Sequence, residues 1–195
     1  MAAIPGDVRT IAVIGAGPVG RGIAQLAARG GYRTLLEDLL PSALRRAESE
    51  IRIQLDSAVA SGGVTADAAT AAFSRLEFAG TVEDAARQAD LVIEAVPEEL
   101  ESKIEIFTLL DKICRPGTIL ASHLSSLSIT EISRVTYRAR NCLGMHFAEP
   151  VERQKRLEII RGLETDDDTV ATAVEVGRRM GKETVVIEDA DSTPT

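Results

Sequence analysis

Two residues in the last third of the chain could perform acid–base chemistry. His146, one of two histidines in the sequence, lies in GMHF, and Glu158 follows it by 12 residues in RLEII. An imidazole titrates near neutral pH, and a carboxylate that orients it makes it an effective proton acceptor. A histidine at a strand end and an unrelated surface carboxylate would explain the same residues. The elements that position the two side chains must decide between these alternatives.

A glycine loop precedes the pair in the chain. Gly15, Gly17 and Gly20 form GAGPVG directly after the β-branched segment TIAVI, and an apolar helical segment begins behind the loop. In a dinucleotide site the first glycine allows a tight turn, the second lets the pyrophosphate approach, and the third lets helix and strand pack closely. With Pro18 and Val19, these glycines are predicted to bind a dinucleotide at the helix N-terminus. A glycine turn without such a ligand is the competing interpretation.

An acidic residue should end the second strand and bind the adenosine ribose. Glu37 and Asp38 both close YRTLLED, and Asp38 follows Gly15 by 23 residues, near the spacing of about 20 that the motif favours. We prefer Asp38 and keep Glu37 as the alternative. Since no arginine follows directly to neutralise a 2′-phosphate, the cofactor is predicted to be NAD rather than NADP.

Strand-like and helical segments alternate along the chain. Short apolar segments predict strands at TIAVI, YRTLLED, RLEFAG, ADLVIEAVP, GTILAS, RNCLGMHF, RLEIIRG and ETVVIED, with helical periodicity between most of them. This order predicts an α/β fold of the Rossmann type, with a doubly wound, mostly parallel sheet in a single domain. We place the domain at residues 1–188, a helical hairpin insertion after the second strand at about 41–74, and a frayed tail at 189–195.

Composition restricts the partners and the compartment. The net charge of −8 and the 45% of hydrophobic residues are typical of a soluble globular domain and argue against a nucleic-acid or anionic membrane surface. No apolar run is long enough to cross a bilayer, and the start of the chain shows no signal-peptide pattern. Cys114 and Cys142 form no CxxC pair. We predict a cytoplasmic protein with buried free thiols and without a metal site.

Four segments resemble one family in order and spacing. GAGPVGRGIAQLAA, VIEAVPEELESKIEIFTLLD, ILASHLSSLSITEI and GMHFAEPVERQKRLEIIRG are similar to segments of the L-3-hydroxyacyl-CoA dehydrogenases, which include 3-hydroxybutyryl-CoA dehydrogenases. L-Gulonate 3-dehydrogenase and lambda-crystallin form a related branch. The resemblance covers nearly the whole chain. It implies an NAD-dependent oxidoreductase of fatty acid metabolism that interconverts the 3-hydroxyl and 3-keto forms of an acyl-CoA.

The resemblance also implies roles for individual residues. His146 would accept the proton of the substrate hydroxyl, and Glu158 would hold its imidazole in the useful tautomer. Ser125 would hydrogen-bond the substrate oxygen. Glu98 and Lys103 match positions that contact the nicotinamide side of the cofactor. An ordinary loop at Ser125 and a solvated helix start at Glu98 and Lys103 are the competing interpretations.

Three features depart from the family pattern. Family members continue into a helical second domain that closes the acyl cleft, whereas this sequence stops at the matching point; we expect another subunit to complete the cleft and predict a homodimer. Asparagine is usual at the places of His123 and Glu149, and Glu149 is predicted to lie beside the substrate and to disfavour an anionic group there. Between Arg52 and Arg75 the hairpin has no lysine or arginine, which leaves the phosphates of CoA little charge assistance.

Two alternatives to the acyl-CoA enzyme therefore stay open. The composition of the hairpin favours a dehydrogenase of a non-CoA hydroxy acid or sugar acid, as in the gulonate branch. The missing second domain favours a module that binds NAD and performs no turnover. Within the site, His123 could offset the charge of Glu149 or serve as a second proton-transfer group.

Overall fold

The computed structural model describes residues 8–190. Its strands are β1 (Thr10–Ile14), β2 (Arg33–Glu37), β3 (Leu76–Ala79), β4 (Leu91–Glu94), β5 (Ile119–Ser122), β6 (Cys142–Phe147), β7 (Arg156–Arg161) and β8 (Glu183–Glu188). Its helices are α1 (Pro18–Arg29), α2 (Pro41–Ala60), α3 (Ala66–Phe73), α4 (Val82–Ala86), α5 (Leu100–Ile113), α6 (Ile129–Ser133) and α7 (Asp167–Arg179), with a 3₁₀ turn at Ala139–Asn141. Every predicted strand is present, and α2 and α3 form the predicted hairpin.

All eight strands form one sheet in the order β3-β2-β1-β4-β5-β6-β7-β8. Neighbours from β3 to β6 pair in parallel, β6 and β7 pair antiparallel, and β7 and β8 pair in parallel. The direction of winding reverses between β1 and β4. Ligands of open α/β sheets bind at such a switch point, beside the carboxyl ends of the strands. The structure thus confirms the predicted Rossmann-type, mostly parallel sheet.

Helices cover both faces of the sheet. Apolar side chains of α1, α2 and α7 pack into the core on one face, and those of α4, α5 and α6 pack into the core on the other. Strands β1 and β4 are buried along their whole length, as expected of central strands in a parallel sheet that is covered on both sides. This packing fixes the carboxyl ends of the central strands, from which the loops of the candidate site emerge.

Helix α4 is too short for its periodicity to be recognised in the sequence. It begins at a side-chain cap, because Thr81 Oγ1 accepts a hydrogen bond of 3.1 Å from the N–H of Asp84. The acidic residues Glu83 and Asp84 in its first turn suit the positive end of the helix dipole. The start of α4 lies beside the end of β2 and lines the cleft there.

The predicted tail at 189–195 is wrong at its first residue. Asp189 is only 6% exposed, and its Oδ2 accepts hydrogen bonds from Ser128 Oγ at 2.7 Å and from the N–H of Thr130 at 2.8 Å. These donors lie at the N-terminus of α6, where a carboxylate is stabilising. The contact keeps the chain packed beyond β8. Residues 191–195 of the predicted tail lie outside the described residues.

The helices of residues 8–190 are short or polar, and both cysteines are buried. None of these helices is both long and apolar enough to cross a membrane. Cys114 and Cys142 are buried and free, as predicted. Burial raises the pKa of Cys114 to about 11 and that of Cys142 to about 12. Both side chains therefore stay protonated at neutral pH and act as small apolar groups.

Candidate active site

His146 and Glu158 lie opposite each other on neighbouring strands. The antiparallel register of β6 and β7 pairs the two residues directly, so their side chains leave the same face of the sheet. Nδ1 of His146 is 3.9 Å from Oε2 of Glu158, and the side chains are 32% and 23% exposed. The structure therefore brings the predicted base and its carboxylate together, at the distance of an ion pair rather than that of a hydrogen bond.

Arg156 binds the other oxygen of the Glu158 carboxylate. Its Nε and Nη2 donate to Oε1 at 2.9 and 2.6 Å. The two residues share a face because side chains alternate along a strand. Sequence reasoning missed this contact, although a cation two positions from Glu158 in a predicted strand was a usable signal. The arginine fixes the carboxylate and leaves Oε2 facing the imidazole.

Ser125 lies in the loop after β5 and is bound to Glu98 from the loop after β4. Its Oγ donates to Glu98 Oε2. The N–H groups of Ser125, Ser126 and Leu127 donate to Oε1 at 2.9, 2.6 and 3.2 Å. Burial raises the pKa of Glu98, but these hydrogen bonds outweigh burial and lower it to about 2. The ionised carboxylate therefore holds the two loops together, and Ser125 Oγ keeps its lone pairs for a further donor.

Lys103 is buried in the structure. Its side chain is 0% exposed, as is that of Glu94, and its Nζ donates to both oxygens of Glu94 at 2.8 and 2.9 Å and to the carbonyl of His123 at 3.0 Å. A solvated helix start is therefore wrong for Lys103. Direct contact with the cofactor stays a prediction, and this burial argues against it. Sequence reasoning missed Glu94, an acid inside the apolar segment LVIEAV.

The glycine loop has the backbone that its motif requires. Gly15 has a φ of +99°, and a Cβ at Gly20 would lie 1.8 Å from the Gly15 carbonyl oxygen. At Gly17, in contrast, a Cβ would meet nothing within 4 Å. Gly17 caps α1, which begins with Pro18 and Val19 and has no side-chain cap. The loop thus presents open space and the positive end of a helix dipole at the same point.

The two candidate ribose acids line a cavity of about 600 Å³ beside this loop. Asp38 Oδ2 accepts a hydrogen bond from the N–H of Ala16 at 3.0 Å, and its Oδ1 accepts one from the N–H of Leu40 at 2.9 Å. Glu37 is 2% exposed, and its Oε1 has no hydrogen-bond partner within residues 8–190. The glycine loop therefore orients Asp38, which supports our preference for it over Glu37.

Comparison with known proteins places this arrangement in a family. Residues 10–190 match the family described as 3-hydroxyacyl-CoA dehydrogenase, NAD binding domain. The chain belongs to this family. It is 40% identical over 183 residues to a probable 3-hydroxybutyryl-CoA dehydrogenase of Bacillus subtilis, a match that covers 94% of this chain and 63% of that protein.

Solved structures of 3-hydroxyacyl-CoA dehydrogenases share the fold. The 3-hydroxybutyryl-CoA dehydrogenase of Escherichia coli matches with a TM-score of 0.90 and 37% identity, over 93% of this chain and 38% of that one. The (S)-3-hydroxybutyryl-CoA dehydrogenase of Ralstonia eutropha matches with a TM-score of 0.91 and 32% identity, over 94% of this chain and 65% of that one. The chain thus spans less than two thirds of the length of these relatives.

Membership of this dehydrogenase family confirms the prediction of NAD as the cofactor. The residues at the carboxyl ends of β1 and β2 fit this cofactor. Gly17 leaves room for a pyrophosphate, Asp38 is held at the end of β2, and the cavity beside them has a mostly apolar wall that suits an adenine ring. The apolar side chains that line this cavity outside the glycine loop are Ile14, Leu39, Leu40, Val82, Val96, Ile106 and Leu109.

Gly17→Ala should separate cofactor binding from folding. The added methyl group meets no protein atom within 4 Å, so we expect the free energy of unfolding to change by less than about 1 kcal/mol. The same methyl group would occupy the space of the pyrophosphate and should weaken NADH binding at least about tenfold. Fluorescence titration with NADH measures this. Gly63→Ala, at the tip of the hairpin, is the control, and unchanged affinity in Gly17→Ala would refute the predicted pyrophosphate site.

Glu37 should make stability fall as the pH rises. Burial, together with the charges of Asp38 and Glu83, raises the pKa of Glu37 from 4.5 to about 7, although the N–H of Gly15 opposes this. Between these two pKa values the carboxyl of Glu37 is protonated in the folded state and ionised in the unfolded state. The free energy of unfolding is therefore highest below the lower pKa and falls as the pH rises from the lower value to the higher one. Glu37→Gln should therefore be more stable than wild type by about 1–2 kcal/mol at pH 8 and nearly equal at pH 5. Urea unfolding at both pH values measures this, and equal differences would contradict the effect.

Proposed function

We propose that the protein is an NAD-dependent dehydrogenase that interconverts the 3-hydroxyl and 3-keto forms of an acyl-CoA. The observation that carries this proposal is the direct cross-strand pairing of His146 with Glu158 at the carboxyl end of β6. The loop that contains Ser125 follows the neighbouring strand β5. The relatives named as 3-hydroxybutyryl-CoA dehydrogenases support the substrate class.

The cofactor would bind along the carboxyl ends of β1 and β2. Gly15, Gly17 and Gly20, with Pro18 and Val19, would hold its pyrophosphate at the start of α1. The carboxylate of Asp38 would bind the hydroxyls of the adenosine ribose. When bound, NAD⁺ would accept a hydride from the carbon that carries the hydroxyl, and NADH would donate one to the same carbon of the ketone.

His146 would act as the base for the hydroxyl proton. Because Nδ1 faces Glu158, a proton on Nδ1 is favoured and Nε2 is left with a lone pair for the substrate. Arg156 holds Glu158 from the other side. Ser125 Oγ donates to Glu98 in this structure; with substrate bound, its O–H would turn to donate to the substrate oxygen, whose own proton goes to His146. Glu98 would position the serine and the loop near the nicotinamide side.

Glu149 favours a thioester over a free hydroxy acid. It is exposed in the loop after β6, and its charge reaches His123, the neighbour of His146. A carboxylate there repels an anionic group close to the reacting carbon. A 3-hydroxy acid carries such a group two bonds from that carbon, whereas the thioester of an acyl-CoA is neutral.

One observation favours the second candidate, a dehydrogenase of a non-CoA hydroxy acid or sugar acid. The hairpin offers no lysine or arginine between Arg52 and Arg75, so a polyanionic CoA would receive little charge assistance from it. This candidate shares the cofactor and the dyad with the first and differs only in the group attached to the reacting carbon.

We further propose a homodimer in the cytoplasm. Strand β8, at the edge of the sheet, leaves Val185, Val186 and Ile187 exposed at 43%, 44% and 36%, and an apolar edge of this kind supports burial against a second subunit. The two buried free thiols suit a reducing compartment. Light scattering after size-exclusion chromatography measures the assembly, and a monomer at micromolar concentration would contradict the dimer.

The proposed function is tested by the consumption of NADH with two ketones. We expect the protein, as its gene encodes it, to reduce acetoacetyl-CoA and to act at least about 100-fold less efficiently, by kcat/KM, on acetoacetate. Reduction of acetoacetate alone would favour the second candidate. NADH binding without turnover of either compound would mean a module that binds NAD and does no chemistry.

A further inference from the structure

His123 lies where the hydrogen-bonded ladder between β5 and β6 ends. The last main-chain pair of the two strands joins Ser122 and Gly144. Beyond it, the side chain of His123 contacts β6: its Nδ1 is 3.2 Å from the carbonyl oxygen of Met145 and 3.4 Å from the main-chain nitrogen of Phe147. These are the residues on either side of His146. The imidazole of His123 thus continues the hydrogen bonding to β6 beyond the last main-chain pair of β5.

The main chain of His123 is itself held firmly. Its N–H donates to the carbonyl of Glu94 at 2.7 Å, and its carbonyl accepts from Lys103 Nζ at 3.0 Å. Lys103 and the side chain of Glu94 form a fully buried ion pair. A buried pair with complete hydrogen bonding has little freedom to move, so it anchors the end of β5. The side chain of His123 that contacts β6 is therefore attached to a main chain that is itself held in place.

The chemical state of His123 suits a hydrogen bond to the main chain. Burial lowers its pKa from 6.5; the Met145 carbonyl and Glu149 oppose this, while His146 and Lys103 add to it. The ring is therefore neutral at pH 7. With the proton on Nδ1 it donates to the Met145 carbonyl, and with the proton on Nε2 its Nδ1 accepts from the N–H of the residue after His146. Either tautomer binds a peptide group next to His146.

The rings of His123 and His146 are also in edge contact. Their centroids are 5.8 Å apart and their planes are inclined by 70°. On the opposite edge of β6, strand β7 pairs with the same segment and carries Glu158. The segment around His146 is thus bound from one side by a strand and from the other by a single imidazole.

We propose that His123 is a positioning residue for His146: through its Nδ1 it fixes the peptide groups that flank His146 and so sets the direction of the His146 ring. The proposal rests on the proposed function for its catalytic consequence only. The placement of His146 by His123 can be measured without any turnover.

Substitutions at His123 test which atom matters. The side-chain amide of His123→Asn places a donor and an acceptor near the position of Nδ1, whereas that of His123→Gln lies one atom further out, and His123→Ala has neither. Since the chain contains only two histidines, the imidazole signals of each variant in a ¹H–¹⁵N spectrum come from His146 alone. His146→Gln assigns the pair in the wild type.

Both variants lose the ring beside His146, so the signals of His146 shift in each. Beyond that shared shift, we expect His123→Asn to keep the wild-type tautomer and line width of His146, and His123→Ala to change the tautomer or broaden the signals. For NADH-dependent reduction of acetoacetyl-CoA, His123→Ala should lose about 10- to 100-fold in kcat, with the KM for NADH changed less than about twofold. His123→Asn should recover most of kcat. If His123→Ala unfolds below the assay temperature, His123→Gln takes its place, with the same expected loss.

The outcomes are distinguishable. A His146 tautomer and line width in His123→Ala or His123→Gln that match those of His123→Asn, together with unchanged kcat, would overturn the proposal. Equal impairment of His123→Asn and His123→Gln would also overturn it, because the contact at Nδ1 would then not be the cause. The expected pattern of signals in a wild-type protein without turnover would uphold the positioning role and refute the proposed function.

Discussion

His146→Gln should lower kcat for the reduction of acetoacetyl-CoA by about 10³-fold, while the Kd for NADH changes less than about twofold. The imidazole is the group that moves the substrate proton in our account, and glutamine preserves a polar side chain of similar reach without titrating. His146 is partly exposed, at 32%, so its replacement removes little packing. Steady-state kinetics at 340 nm and titration of NADH fluorescence measure the two quantities.

Glu158→Gln is the companion of this test. It keeps the volume beside Nδ1 of His146, at 3.9 Å in the wild type, but removes the charge that favours the useful tautomer. We expect a smaller loss in kcat, of about 10- to 100-fold. A loss in His146→Gln that is no larger than that in Glu158→Gln would contradict the assignment of His146 as the base.

Lys103→Met should destabilise the fold by about 3–5 kcal/mol, because it leaves the carboxylate of Glu94 buried without its cation. Both side chains are 0% exposed, and Lys103 contributes two of the hydrogen bonds to that carboxylate. Burial raises the pKa of Glu94, while Lys103, Ser122 and the N–H of Val96 oppose this. Without Lys103, the remaining donors cannot offset the desolvation of a charge.

Urea unfolding followed by circular dichroism measures this loss, since the chain contains no tryptophan. The control is the double variant Glu94→Met with Lys103→Met, which removes both charges and should recover most of the stability. Equal stability of Lys103→Met and the wild type would show that the pair is not the anchor of the β5 end. A single variant that is stable but fails to bind NADH would instead support a direct role at the cofactor.

The fold was predictable because each central strand is a short apolar segment bounded by turn residues. Burial on both faces selects β-branched and aliphatic residues in such strands, as in TIAVI and DLVIE. The glycine loop was predictable for a similar reason, since backbone geometry leaves few alternatives at Gly15 and Gly20. Where local sterics require a single residue type, one sequence is enough to predict the backbone conformation at that position.

The remaining features depend on partners that are distant in the sequence. Lys103 resembles a solvated lysine at a helix start, and its burial follows only from Glu94 and from the end of β5. Asp189 resembles part of a polar tail until α6 is placed beside it. The dyad itself was found through the resemblance, and its direct register depends on the pairing of β6 with β7. Contacts between residues that are distant in the sequence determine the burial and the partners of these side chains, and local sequence patterns carry no information about such contacts.

The most direct test of the account is the fate of the hydride. Acetoacetyl-CoA is incubated with the protein and with NADH that carries deuterium at both positions of C4 of the nicotinamide ring, and the reduced product is analysed by mass spectrometry. We expect deuterium at C3 of the 3-hydroxybutyryl group, and none at C3 when unlabelled NADH is used in deuterated water. A protein that binds NADH but yields no product labelled at C3 would contradict the proposed dehydrogenase.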